Sequence, residues 1–199
     1  MVKKIQIGVI GIQGAITEHI NSVNRVLKET NTPGQVYIIK EKKQLKNVNG
    51  LILPGGESTT ISKILFKSRL NEAISKKIEE NSLPIMGTCA GCVILSKNLI
   101  DDTKGLNLLS VMDMAVRRNA FGRQKESFEH KIEIEDFTKP YNAVFIRAPV
   151  IEKVWGTCKI LAKIDKKIVM ARQDNLLALS FHPELTDDLR IHKYFLDML

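Results

Sequence analysis

Leu83-Pro-Ile-Met-Gly-Thr-Cys-Ala-Gly91 is an apolar run that ends on a nucleophile set between small residues. A short apolar run after a proline reads as a buried strand. The shape Gly87-x-Cys89-x-Gly91 reads as the sharp strand-to-helix turn that lifts a nucleophile out of a sheet. Cys89 is therefore expected at a helix N-terminus, where the positive end of the dipole favours thiolate. The flanking glycines fit an unusual backbone dihedral at Cys89 and a close passage of strand and helix. The N–H of Ala90, one residue on, is the first candidate oxyanion donor.

Outward from this turn the chain alternates. Apolar, strand-like runs lie near 5–10, 35–39, 50–53 and 83–87, with helical patterns between them. Ile16, Ile20, Val23 and Leu27 recur at helical spacing within Ala15–Glu29, and Lys67–Asn81 reads as a second helix before Pro84. Beyond the turn the pattern changes to short strands near 112–116, 129–135, 143–147, 158–164, 167–172 and 176–181, and then to a closing helix over Asp187–Met198. This predicts an α/β fold over 1–199 as a single three-layer domain. Its central sheet is mainly parallel, with helices on both faces and an antiparallel portion in the second half. Open sheets of this kind bind ligands at the carboxyl ends of their strands.

Far downstream, Phe181-His182-Pro183-Glu184 sets a base and a carboxylate two positions apart, so extended backbone points both side chains the same way. Each residue has an ordinary reading: a small buried cysteine, a satisfied core histidine, a surface charge before a helix. All three together, with the glycines of the turn, point to a Cys89–His182–Glu184 triad for nucleophilic catalysis. The loop Leu51-Ile-Leu-Pro-Gly-Gly-Glu-Ser-Thr-Thr60 brings a second backbone N–H, that of Gly56, into consideration as oxyanion donor. Ser58 or Thr59 is expected to cap the helix after it.

These segments resemble the class I, triad-type glutamine amidotransferases. The resemblance rests on Leu53-Pro-Gly-Gly-Glu-Ser-Thr-Thr60, Gly87-Thr-Cys-Ala-Gly91 and Ser180-Phe-His-Pro-Glu-Leu-Thr186. Gly11-Ile-Gln-Gly-Ala15, Arg118-Asn-Ala-Phe-Gly-Arg-Gln124 and Phe145-Ile-Arg-Ala-Pro149 narrow it to the glutaminase subunits of pyridoxal 5′-phosphate synthase. It runs from about residue 5 to the C-terminus. The resemblance implies Cys89 as nucleophile, His182 as general base and acid, and Glu184 as the residue that orients the imidazole. It implies substrate contacts from Gly56, Glu57, Ser58, Arg118, Ile146 and Arg147, and a place for Gln13 beside the oxyanion site, on the face that meets the synthase. It further implies L-glutamine as substrate, no cofactor, and, as partner in a large hetero-oligomer, a synthase (lyase) subunit. A glutaminase serving another synthase, such as the imidazole glycerol phosphate one, is the neighbouring reading; the segments at 118–124 and 145–149 weigh against it.

One position departs from the pattern. Cys92 stands where an apolar residue such as leucine is commoner, so that Cys89-Ala-Gly-Cys92 also spells a dithiol redox motif. That reading has no use for His182 and Glu184. Cys92 is more simply a small core residue, with a Cys89–Cys92 bond as an oxidative liability.

Composition excludes several classes. Three cysteines do not make a disulfide scaffold. Met-Val-Lys-Lys before the first strand is too short for a signal peptide, and no apolar run reaches the roughly 18 residues of a membrane span. A cytoplasmic location is expected. The net charge of +8 is spread over Lys40–Lys46, Lys76-Lys77 and Lys163–Lys167, mixed with acids and without interleaved aromatics, which fits solvated faces rather than nucleic-acid binding. Gly8-Val-Ile-Gly-Ile-Gln-Gly14 has the wrong glycine spacing for a dinucleotide fingerprint, and no metal-ligand cluster is present.

Overall fold

The computed structural model describes residues 4–80, 82–101, 104–121 and 127–199. In chain order the strands are β1 (Ile5–Ile10), β2 (Gly34–Ile39), β3 (Gly50–Leu53), β4 (Ile85–Thr88), β5 (Ser96–Leu99), β6 (Met112–Arg117), β7 (Ser127–Ile132), β8 (Tyr141–Ile146), β9 (Val150–Val154), β10 (Lys159–Ile164), β11 (Lys167–Gln173) and β12 (Leu176–Leu179). The helices are α1 (Ile16–Glu29), α2 (Ser58–Lys67), α3 (Leu70–Glu79), α4 (Ala90–Leu95) and α5 (Arg190–Leu196).

The main sheet runs β2-β1-β3-β4-β12-β11-β9-β6-β5, with β10 added on β11. Its first half, β2 through β12, is parallel throughout. Antiparallel pairing begins where β12 meets β11 and continues to β9 and β6. Strands β7 and β8 form a separate antiparallel pair. The sheet thus matches the mixed architecture expected from the strand–helix alternation.

Residue alternation divides the core in two. Leu51, Leu53, Ile85, Leu176 and Ala178 point to one face and pack with Ile61, Leu65, Ile74 and Ile94 of α2, α3 and α4. Their neighbours Ile52, Met86, Leu177 and Leu179 point to the other and pack with Val23, Leu27, Ile191 and Phe195 of α1 and α5. Period-two side chains buried on both faces are what a covered parallel sheet requires.

The helical span expected over Lys67–Asn81 is instead two helices. Arg69 takes a left-handed φ of 58°, which breaks the path between α2 and α3, and Asn81 lies outside the described residues. The closing helix is shorter than Asp187–Met198, because the Asp188 carboxylate accepts from the Arg190 N–H and guanidinium and holds the chain in a turn first. β5 and β9 were not foreseen. β5 has two exposed residues of four and leaves α4 with no turn signal between them. β9 follows β8 after a bend at Arg147.

Candidate active site

The carboxyl ends of β1, β3, β4, β12, β6 and β8 carry Gln13, Gly56–Ser58, Cys89, His182, Arg118 and Arg147 respectively. They gather around a cavity of about 340 Å³ lined by Gly56, Glu57, Ser58, Cys89, Ala90, Arg118, Ile146, Arg147 and His182. That volume is within the range of small-molecule sites, about 300–1,000 Å³. Val93, Asn119 and Pro149 also line it. Asn119 and Pro149 belong to motifs already singled out; Val93 follows from its place one turn along α4 from Cys89. Gly122, Arg123 and Gln124 of the 118–124 segment lie outside the described residues.

Cys89 sits between β4 and α4 with φ 49° and ψ −101°, the strained backbone expected of a residue forced to project from a tight turn. Its N–H bonds to the Leu179 carbonyl of β12 at 2.8 Å, and its Sγ lies 3.8 Å from the Ile146 carbonyl. Gly91 permits the turn: a Cβ there would drive into the Leu53 carbonyl of β3. Asn119 and Arg147 also have positive φ, 46° and 44°, so left-handed backbone collects on the cavity wall.

His182 is 8 % exposed and Glu184 6 %. The His182 N–H bonds to Val144 of β8 at 2.8 Å, which ties the loop after β12 to the strand that carries Ile146. Its Nδ1 is 2.7 Å from Glu184 Oε1. Burial works against a charged ring, but hydrogen bonds to Cys89 and Glu184 and the charge of both outweigh it, and the imidazole is pushed up to about 10. Burial likewise opposes ionisation of Glu184. Its electrostatic interaction with the neighbouring His19 ring, with the hydrogen bond and charge of His182, overcomes this and holds the carboxyl below its ordinary range. Glu184 is thus no surface charge. It stands behind His182, with the His182 ring between it and the cavity.

The loop after β3 is built on the opposite wall. Gly14, at φ 102°, faces the Gly55 carbonyl so closely that no side chain fits between them. A trans peptide directs the Gly56 N–H to the other side. Gln13 Oε1 accepts from the Glu57 N–H at 3.3 Å, so the exposed loop after β1 touches this wall. The cap of α2 is neither Ser58 nor Thr59. The Glu57 carboxylate curls back to accept from the N–H groups of Thr59 and Thr60, at 3.2 and 2.7 Å, and from the Thr59 hydroxyl. Ser58 is left as the buried first residue of the helix. Burial opposes the Glu57 charge, yet these hydrogen bonds together outweigh it and bring its carboxyl down to about 2. Arg118 Nη2 reaches Glu57 Oε1 at 3.4 Å. This cation faces the cavity, whereas Arg117 pairs on the surface with Glu152 at 2.6 Å and Arg172 bonds to Tyr194 at 2.9 Å.

Cys92 lies on the core face of α4, wholly buried, and burial pushes its thiol pKa far up. A sulfur so reluctant to ionise is poorly suited to dithiol exchange. Sequence reasoning missed His19, Thr88 and His192, which are fully buried behind Glu184. The available signal was the position of His19 on the apolar stripe of α1, between Ile16 and Val23. No helix of the described residues is long and apolar enough to cross a membrane.

Comparison with known proteins agrees with this geometry. The family model of the SNO glutamine amidotransferase family matches residues 9–199. The pyridoxal 5′-phosphate synthase subunit PdxT of Methanococcoides burtonii is 48 % identical over 198 residues, covering 98 % of this chain and 99 % of that protein. Its counterpart from Staphylothermus marinus is 47 % identical over 203 residues, covering 98 % of each. A crystal structure of a glutamine amidotransferase superposes with a TM-score of 0.86 at 40 % identity, over 96 % of this chain and 97 % of that one. A glutamine amidotransferase from Thermotoga maritima, at 14 % identity and a TM-score of 0.64 over 98 % of this chain and 84 % of that one, shares the fold. A family match across nearly the whole chain, on a fold whose strand ends assemble these motifs in one cavity, means that the chain belongs to the SNO glutamine amidotransferase family.

Proposed function

We propose that this protein is the glutaminase subunit of a pyridoxal 5′-phosphate synthase, hydrolysing L-glutamine and passing ammonia to a synthase subunit. The observation that carries the chemistry is the buried His182–Glu184 pair, 2.7 Å apart, with His182 and Cys89 on the wall of one cavity sized for an amino acid. The synthase assignment is supported by relatives of that name at 48 and 47 % identity over nearly their full lengths.

In this reading the Cys89 thiolate attacks the side-chain amide carbon of glutamine. The carbonyl electrons move onto oxygen, which the N–H groups of Ala90 and Gly56 stabilise. The His182 imidazolium gives its proton to the amide nitrogen, the C–N bond breaks, and ammonia leaves a thioester on Cys89. His182, now neutral, takes a proton from water as the water attacks the thioester. Collapse of that second intermediate releases glutamate and restores thiolate and imidazolium. Glu184 holds the ring in the tautomer that presents Nε2 to sulfur. Arg118 or Arg147 binds the substrate α-carboxylate. Glu57 is fixed as an anion by the helix it caps, and so presents a constant negative charge for the α-ammonium group. Ser58 and Ile146 complete the pocket. Gln13, exposed and hydrogen-bonded to the Gly56–Glu57 wall, lies where a docked synthase subunit reaches the oxyanion site. The setting is a cytoplasmic hetero-oligomer, in which the three free thiols stay reduced.

The test is glutamate release from glutamine with and without the synthase subunit, comparing the native chain with Cys89→Ala and His182→Asn. Release that rises with the synthase and disappears in both variants is expected. Release indifferent to that synthase would reassign the acceptor, and none at all in a verified complex would remove the glutaminase reading.

A further inference from the structure

Behind Glu184 lies a buried histidine pair that the chemistry above does not use. His19 on α1 and His192 on α5 are both 0 % exposed, as is Thr88 at the end of β4. His19 Nε2 lies 3.2 Å from Thr88 Oγ1 and 3.4 Å from Glu184 Oε2. His19 Nδ1 lies 3.1 Å from His192 Nε2. Glu184 Oε2 and His192 Nδ1 are buried with no hydrogen-bond partner among the described residues.

These contacts select one arrangement of protons. An ionised Glu184 can only accept, and Oε1 already takes the His182 Nδ1 proton. If His19 carried its proton on Nδ1, a bare Nε2 would face the bare Oε2, and His192 would be driven to bury an unpaired Nδ1–H. With the proton on His19 Nε2, each ring N–H of the histidine pair has an acceptor. His192 Nε2–H gives to His19 Nδ1, and His19 Nε2–H gives to Thr88 Oγ1, with Glu184 Oε2 beside it at 3.4 Å. Only the His192 Nδ1 lone pair is left over, and an unpaired buried acceptor is better tolerated than an unpaired N–H.

We propose that His19, protonated on Nε2 and backed by His192, is the positioning residue that supplies the second hydrogen bond to Glu184 and so holds the carboxylate against His182. The proposal rests on the glutaminase reading of Cys89 and His182. In this structure the 3.4 Å contact is not a formed hydrogen bond, and such contacts often tighten only when substrate binds. Burial lowers the pKa of His19 and brings that of His192 to about 3, so neither adds a second positive charge beside the carboxylate. The titratable groups around Glu184 are His182 and Cys89 on the cavity side, His19 and Glu18 on α1, His192 on α5 and Tyr141 on β8. Without the His19 donor nothing fixes Oε2, the carboxylate is free to turn away from Nδ1, and the His182 imidazolium then loses its proton at lower pH.

The experiment compares native chain, His19→Leu and His19→Gln, each assembled with the synthase subunit. It measures kcat and KM for glutamine and titrates the histidines by 15N NMR; with four histidines in the chain, assignment is tractable. A hydrogen bond to a charged group moves an equilibrium by about tenfold or more. In His19→Leu, kcat is therefore expected to fall about tenfold with KM little changed, and the His182 midpoint to drop by about one pH unit. His19→Gln, whose amide offers an N–H at a similar reach, is expected to recover most of both. An unmoved His182 midpoint in a folded His19→Leu protein overturns the proposal, as does a glutamine variant no better than leucine. If His19→Leu does not fold, the native spectrum decides, since a proton found on His19 Nδ1 also overturns it. A native chain without glutaminase activity whose His182 midpoint still responds to His19 would refute the proposed function and leave the positioning role standing.

Discussion

Replacing Glu184 by glutamine keeps the shape of the triad and removes one charge. In the structure the carboxylate is buried and 2.7 Å from His182 Nδ1, and together with Cys89 it lifts the imidazole from its ordinary 6.5 to about 10. A hydrogen bond to a charged group contributes about 1.5–3 kcal/mol. At about 1.4 kcal/mol per unit, its loss lowers the His182 pKa by about one to two units. The same energy withdrawn from the transition state reduces kcat/KM by about 10- to 100-fold. An amide that rotates to donate to Nδ1 selects the wrong ring tautomer, and the loss then approaches about ten-thousand-fold. The assay is steady-state glutamate release in the presence of the synthase subunit, with the fall expected in kcat. Stability supplies a second reading. The folded pKa of His182 lies above its unfolded value, so its contribution is full below about pH 6.5 and is lost as pH rises towards 10. The Glu184 pKa is depressed, so its contribution is present above about pH 4.5 and is lost as pH falls further. The stability gap between native and Glu184→Gln protein is therefore expected to narrow from pH 6.5 to pH 10. A folded Glu184→Gln protein with activity within twofold of native, and the same gap at both pH values, would refute the reasoning.

Other perturbations act on separate parts of the site. Gly55→Ala places a methyl 2.5 Å from His182 Cε1 and 3.3 Å from Cys89 Cβ; displacing the ring by about 1 Å is expected to lower kcat about 100-fold, read by glutamate release with circular dichroism as the folding control. Glu57→Ala removes the cap of α2 and the partner of Arg118; a stability loss of about 1 kcal/mol and a raised KM for glutamine are expected, and a lowered kcat at unchanged KM would contradict the binding role. Iodoacetamide under native conditions is expected to label Cys89, which lines the cavity, and to spare Cys92, which is fully buried; peptide mapping reads this directly. Oxidant is expected to act on Cys89 alone, so that Cys92→Ser retains native sensitivity.

The sequence by itself determined the chemistry and the order of the fold. The glycines around Cys89, the Pro54-Gly55-Gly56 loop and the His182-Pro183-Glu184 segment are local patterns. A tight turn, a close backbone approach and a two-residue spacing leave marks in adjacent residues, so these were legible without coordinates. The alternation of strands and helices was legible for the same reason. Tertiary structure decided what depends on distant partners. β5 and β9 are strands because β6 offers them edges, not because their own residues alternate. Glu57 became the cap of α2 in place of Ser58 because its longer side chain folds back onto two N–H groups while its backbone lines a cavity. The environment of Glu184 was beyond any local reading. His19, Thr88 and His192 reach it from α1, β4 and α5, far apart along the chain. Only the packing of α1 and α5 on one face of the sheet turns a histidine on an apolar stripe into a neighbour of the triad.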